Sequence, residues 1–178
     1  MSYAQIAHRY AQALFDLAEG ENSLYPVYIS LQEIGKIIHE KEEFRVFIHN
    51  PLLSLVERTE IIQSIFENRI PKLLYKFLLF LNIKNRLNIV SEISESFDEL
   101  YLEKNNQMRG ALETAFVLEE AQKRNIQQKL GQKYDKEISL DSQVKKDLLG
   151  GFRLLLAGKL FDSSIKSQLE QFRQRVLA

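Results

Sequence analysis

The chain contains no cysteine, only three prolines and seven glycines, and no excess charge of either sign, with 24 Lys and Arg against 24 Asp and Glu. Without cysteine there is no disulfide scaffold, no thiolate metal site and no cysteine nucleophile. Without net positive charge there is no broad phosphate-binding surface of the kind nucleic-acid binders display, so the expected partner is protein. Long apolar runs are missing too. The longest, LLYKFLLFLNI at 73 to 83, is interrupted by Lys76 and is roughly half of the ~20 residues a bilayer-crossing helix needs. The opening MSYAQIAHRY lacks a basic stretch followed by an apolar core, so no secretory signal is visible. These absences predict a soluble, cytoplasmic protein that meets a membrane only indirectly.

Catalytic patterns are scarce as well. His8, His39 and His49 fall in different predicted helices without an i, i+4 partner, which leaves a metal site nothing to build on. GGFRLLLAGKL has the glycines and lysine of a phosphate loop but not its spacing: six residues separate Gly151 from Gly158, and Leu160 stands where the magnesium-holding hydroxyl belongs. The acidic residues of the predicted sixth helix lie along a face rather than in a pocket with other catalytic types. The expectation is therefore no enzyme activity, no cofactor and no metal.

What the chain does have is helical periodicity. At 178 residues there is room for one large domain or two small ones, and residues 1–105 carry apolar side chains at helical spacing between a few breaks. Helix one runs from 3 to 19 and ends at Gly20; the second, from Tyr25 to Glu40, turns Val27, Leu31, Ile34 and Ile38 inward. A short third helix groups Phe44, Phe47 and Ile48 before Asn50-Pro51, because the residue before proline is pushed out of the helical region. Ser54 and Glu57 form a capping box for the fourth, Pro71 suits the first turn of the fifth, and the sixth starts near Arg86.

After NNQ at 105 to 107 the period changes. RGALETAFVL reads as a strand, EEAQKRNIQQKLGQKY as a helix ended by Gly131, and KEISLDSQV as an alternating strand. FRLLLA and KLFD pair as a hairpin about Gly158. Ser163 or Asp162 then caps a last helix whose Ile165, Leu169, Phe172 and Val176 form the expected buried face. The fold class is thus mainly α: a six-helix bundle over 1–105 followed by a small α+β domain over 106–178. The two parts are oppositely charged, about −4 up to Lys104 and +4 beyond it.

Helix one has too much apolar surface for a one-sided helix. Tyr3, Ile6, Tyr10, Ala13 and Leu17 form one stripe, and Ala4, Ala7, Ala11, Leu14, Phe15 and Ala18 a second, together about twice the arc that burial on one side requires. If the larger residues face the core, the alanine stripe is left for another helix to approach, and Ala11 or Leu14 should tolerate a charge without unfolding. The alternative is a central helix covered on both sides by its own neighbours. Helix five has a similar excess in Leu73, Leu74, Phe77, Leu78, Phe80 and Leu81, so the pair is expected to form a groove for a foreign amphipathic helix.

RYAQALFDLA at 9 to 18, NP at 50 and 51, NRL at 85 to 87, FDELYLEKNNQMRGALETA, LLGG at 148 to 151 and AGKLFDSSIKSQLEQF occur in an order and spacing that resemble the delta subunit of F-type ATP synthase, called OSCP in mitochondria. The resemblance covers almost the whole chain. It implies a non-catalytic subunit of the peripheral stalk, which keeps the catalytic head from turning with the rotor. Its bundle would bind the N-terminal helix of an alpha subunit between helices one and five, and its C-terminal domain would meet the C-terminal end of subunit b. By position, Tyr10, Ala13 and Leu14 with Phe77 and Phe80 would line that groove. The location implied is the cytoplasmic face of the bacterial inner membrane, held there through the complex. Two positions depart from the family's habit: Lys145-Lys146 stands where an Asp-Pro is common before Gly-Gly, and Glu119 where a Ser or Thr often caps a helix. A competing class, a helical RNA-binding or transcription-factor module, would require a basic stripe, whereas the N-terminal half is net acidic.

Overall fold

A computed structural model describes residues 3–50, 52–156 and 158–177, the last three by backbone alone. Two compact units divide between Tyr101 and Leu102.

The first unit is built from α1 (Tyr3–Gly20), α2 (Leu24–Glu40), α3 (Glu42–His49), α4 (Leu55–Phe66), α5 (Lys72–Ile83) and most of α6 (Val90–Lys104), with a 3-10 turn at Leu87–Ile89. A chain so poor in glycine stops its helices with asparagine. Asn22, Asn68, Asn85 and Asn106, two residues beyond α1, α4, α5 and α6, all adopt positive φ of 52 to 59°. Asparagine tolerates the left-handed conformation better than other side chains, so it reverses the chain where glycine otherwise would. The capping box that opens α4 is present, with Glu57 N–H donating to Ser54 Oγ at 3.2 Å and Ser54 N–H to Glu57 Oε2 at 2.8 Å. Pro71 stands just before α5 as its N-cap, one position earlier than a first-turn proline. Asn50 is extended after α3; its neighbour Pro51 lies outside the described residues.

Phe97, Leu14, Leu31, Ile62, Leu74, Leu81, Ile89 and Ile93 are the largest sealed side chains of the bundle core. Where α2 meets α6 the backbones come close: a Cβ on Gly35 would stand 2.8 Å from Ser94 Oγ. That hydroxyl is buried and donates to the Leu31 carbonyl at 3.1 Å, and Gln32 Nε2 returns a bond to the Ser94 carbonyl at 2.9 Å. Toward the end of α6, Tyr28 stacks on Tyr101 with centroids 3.8 Å apart and donates from its hydroxyl to Asp98 at 2.8 Å.

Helix α1 reverses the expected assignment of its stripes. Ala7, Ala11, Leu14, Phe15 and Ala18 are the buried residues, whereas Tyr3 and Leu17 are exposed. Alanines let α1 lie close against its own bundle, so close packing is used internally and the larger residues are displaced outward. Ala11 and Leu14, both fully buried, are therefore not positions where a charge is tolerated.

The second unit carries a four-stranded sheet in the order β2-β1-β3-β4, formed by β1 (Gln107–Thr114), β2 (Glu137–Val144), β3 (Phe152–Leu156) and β4 (Lys159–Asp162). β1 and β2 are parallel and joined through α7 (Glu120–Tyr134); β3 runs antiparallel to β1 and to β4, closing the hairpin about Gly158. Parallel strands need such a crossover, and the helix covers one face of the sheet. Leu112, Ile138, Leu140, Leu154 and Leu156 form the buried cluster on that side, with Ile126, Leu130 and Tyr134 of α7 packed against it. On the other face the register aligns Glu113, Arg153 and Asp162, and Arg153 bridges both carboxylates at 3.2 Å.

Three expectations need correction here. Gly131 does not end α7; the helix continues to Tyr134 and stops at Asp135 in the left-handed conformation. The cap of α8 (Ile165–Leu177) is Ser164, whose Oγ accepts from Ser167 N–H at 3.3 Å, while Asp162 braces the turn by accepting from Ser164 N–H at 2.9 Å and Ser167 Oγ at 2.7 Å. These bonds, the Ser164 hydroxyl and backbone N–H foremost, hold the Asp162 carboxyl far below its ordinary value. Finally, the expected buried face of α8 is open: Ile165, Leu169 and Phe172 are 45%, 56% and 66% exposed, and the Val176 side chain lies outside those described. An apolar stripe survives on a surface helix only if something outside the unit covers it in use, or if its exposure is tolerated.

Candidate functional site

The exposed stripe of α1 faces along α5, and the space between them is a groove of about 600 Å³. Tyr10, Ala13 and Leu14 of α1 and Phe77 and Phe80 of α5, the five residues expected to act together, all line it. Their depths differ. Leu14 is sealed at its base and Phe77 nearly so, whereas Ala13 is exposed and Phe80 is 42% exposed. Leu14 thus belongs to the core and offers the groove only an edge.

The tyrosine organises the floor. Its ring lies 6.4 Å from Phe77 at 67° and 6.2 Å from Phe80 at 60°, both within the range of tilted aromatic pairing. Tyr10 therefore links the two phenylalanines, and the three rings form one floor without a bound partner. Lys84 Nζ caps the outer ring, 5.7 Å from the Phe80 centroid.

Leu17 and Leu73 extend the apolar walls, and Arg9 and Lys76 also border the groove, with no carboxylate among its lining residues. Sequence reasoning did not name these four as lining. Leu17 follows Ala13 by four residues and Leu73 precedes Phe77 by four, so the helical repeat alone would have found them. An aromatic floor, apolar walls and a cationic border are the chemistry that would suit a helix with one apolar face and acidic flanks.

The C-terminal positions singled out in the sequence are not gathered into one pocket. Lys145 N–H donates to the Thr114 carbonyl at 2.7 Å, fixing the chain after β2, and Lys146 begins a 3-10 turn that buries Leu148. Leu149 then takes φ 63° and Gly151 φ 74°. A Cβ at Gly151 would collide with the Ser163 carbonyl, so glycine is required at 151, where the chain leaving β4 passes. The lysine pair is compatible with this turn. Glu119 opens α7, its N–H donating to Gln122 Oε1 at 3.0 Å. All three histidines are exposed and lie on separate helices.

Comparison with known proteins adds an independent line. Residues 6–176 match the family model described as ATP synthase delta (OSCP) subunit. Proteins named ATP synthase subunit delta from Clostridium botulinum (strain Loch Maree / Type A3) and Clostridium perfringens (strain SM101 / Type A) are 28% and 29% identical over 175 residues, each alignment covering 98% of both chains. A chain of the Toxoplasma gondii mitochondrial ATP synthase hexamer shares the fold with a TM-score of 0.78 at 22% identity, covering 97% of each chain. One from a Polytomella F-ATP synthase, in a refinement focussed on the F1 head and rotor, matches with a TM-score of 0.50 at 25% identity, over 58% of this chain and 89% of that one.

Proposed function

The chain belongs to the ATP synthase delta (OSCP) subunit family, and from that membership we propose that its α1–α5 groove receives the N-terminal helix of an alpha subunit while its C-terminal unit engages the end of subunit b. It is a peripheral-stalk component of F-type ATP synthase. No helix among the described residues is long and apolar enough to cross a membrane, in keeping with a peripheral position at the cytoplasmic face of the bacterial inner membrane.

The observation that carries the groove assignment is the aromatic floor formed by Tyr10, Phe77 and Phe80, with Phe80 exposed between two apolar walls. The role is mechanical. The chain catalyses nothing itself; it joins the head to the stalk so that torque on the head is resisted and proton flow stays coupled to ATP synthesis. Such a joint is held by buried area and by a few deep anchors, which this floor is shaped to accept. The exposed apolar stripe of α8, Ile165, Leu169 and Phe172, is the surface proposed for subunit b.

Isothermal titration of the full chain with a peptide of about the first 20 residues of the cognate alpha subunit tests the first contact. Saturable binding is expected, and Phe80→Glu or Leu17→Asp should abolish it while the far-UV melting curve is retained. A folded chain that ignores the peptide would overturn the assignment.

A further inference from the structure

A second hollow in the bundle, of about 350 Å³, plays no part in the α1–α5 groove. It forms where two sequence motifs far apart in the chain converge: Asn50 after α3, and Asn85 and Arg86 in the turn after α5, with Arg58 of α4 between them and Asn88 beside them. Arg58 Nη1 donates to Asn85 Oδ1 at 2.9 Å and Nη2 to the Asn50 carbonyl at 3.0 Å. The turn that presents Asn85 and Arg86 is closed by Asn85 N–H to the Asn82 carbonyl at 2.9 Å and Arg86 N–H to the Leu81 carbonyl at 2.8 Å.

The hydrogen-bond inventory of this hollow is one-sided. Asn50 Oδ1 accepts from Leu52 N–H at 2.9 Å, and Asn85 Oδ1 accepts from Arg58, which fixes both amides with their oxygens engaged and their NH₂ groups unspent. Arg58 commits two of its donors; its Nε is shielded from solvent and finds no acceptor. Among the described residues neither Arg58 nor Arg86 forms an ion pair, and no carboxylate lines the hollow. Acceptors remain at Asn88, Tyr3 and His49, which also line the hollow, but the positive charge of the two arginines meets no negative charge among the described lining residues.

A partly buried guanidinium without a counter-charge is costly, and an oxyanion satisfies both deficits at once. Two arginines match the double charge of phosphate better than the single charge of a carboxylate. We propose that this hollow binds a phosphate dianion, either free or as the terminal group of a small monoester, between Arg58 and Arg86 and under the amides of Asn50 and Asn85.

The test is NMR on the ¹⁵N-labelled full chain, titrated with inorganic phosphate and separately with adenosine monophosphate, the ionic strength held constant with sodium chloride. Saturable shifts of the Asn50 and Asn85 NH₂ groups and of the Arg86 side chain are expected. Tighter binding of the monoester would identify an ester-linked phosphate, and tighter binding of the inorganic ion a free one. Arg86→Gln, which removes no side-chain hydrogen bond or ion pair among the described residues, should weaken binding about tenfold, and Asn88→Asp, which places a negative charge in the lining, should do the same. No saturable shift from either probe up to roughly 20 mM, or shifts unchanged in a folded Arg86→Gln or Asn88→Asp protein, would overturn the proposal.

Discussion

Among the described residues the bundle gathers 22 buried side chains into one cluster, whereas the C-terminal unit gathers five. The two units therefore hold together by different means. In the bundle, packing dominates: α1 presses its alanine stripe inward, α2 and α6 approach until Gly35 meets Ser94, and polar groups at the crossing are paired. In the C-terminal unit the backbone ladder of a mixed sheet carries more of the work, with one amphipathic helix over a single face. What remains apolar there, on α8 and at the exposed Leu155 and Leu160 of β3 and β4, is on the outside. A unit of this size with so small a core sits near the limit of independent stability. The lesson is that the bundle encloses its own core and keeps a groove, while the C-terminal unit leaves much of its apolar surface outside.

The hardest blow to that contrast comes from core truncation. Phe97→Ala, removing a sealed ring 5.5 Å from Phe15, should cost the bundle about 3–5 kcal/mol. Leu154→Ala, in the smaller cluster, should melt the sheet while the α1–α6 helical signal persists. Calorimetry showing one shared transition, displaced equally by both changes, would erase the distinction. Next in size is Gly35→Val, which forces a branched side chain against Ser94 and should lower stability by about 1–3 kcal/mol in chemical denaturation; a neutral result would show that the α2–α6 approach is slack.

A pH measurement sharpens the other side. Asp162 titrates far below its unfolded range because Ser164, Ser167 and Arg153 stabilise the carboxylate. Its contribution is fully present above about pH 4 and is lost as acid protonates it on the way down toward the folded value. Asp162→Asn should therefore weaken the C-terminal unit at neutral pH and flatten its acid dependence below about pH 4, with the bundle transition unmoved. Smallest of all, Leu169→Gln with Phe172→Gln on exposed α8 should change the stability of the isolated protein by less than about 0.5 kcal/mol. A pull-down of subunit b is where the double variant should fail.

Much of this architecture was legible because periodicity is local. The inward residues of α2, the Ser54–Glu57 capping box and the hairpin about Gly158 each depend on neighbours within a few positions, and all three stand as the pattern implied. The five groove residues, which the resemblance to the family implied by position, line one groove. Which stripe of α1 turns inward was not decidable from the chain, because alanine suits a close internal contact as well as an external one. The exposure of α8 was hidden for a related reason: a stripe at helical spacing records that burial is wanted, not which molecule provides it. Helix ends were blurred because asparagine and aspartate, rather than glycine, reverse the chain after α5 and α7. The polar hollow brings Arg58 to Asn85, 27 positions away, and no short window of sequence spans that contact.

Tyr28 and Tyr101 give the bundle a particular way of meeting strain. A pull entering α6 from its C-terminal end reaches the flat stack of these two rings, and the Tyr28–Asp98 hydrogen bond, before it reaches sealed Phe97. Parallel rings 3.8 Å apart and the hydrogen bond to Asp98 pin this outer turn of α6 to α2. Fraying of the end of α6 therefore has to part these two rings before it uncovers Phe97.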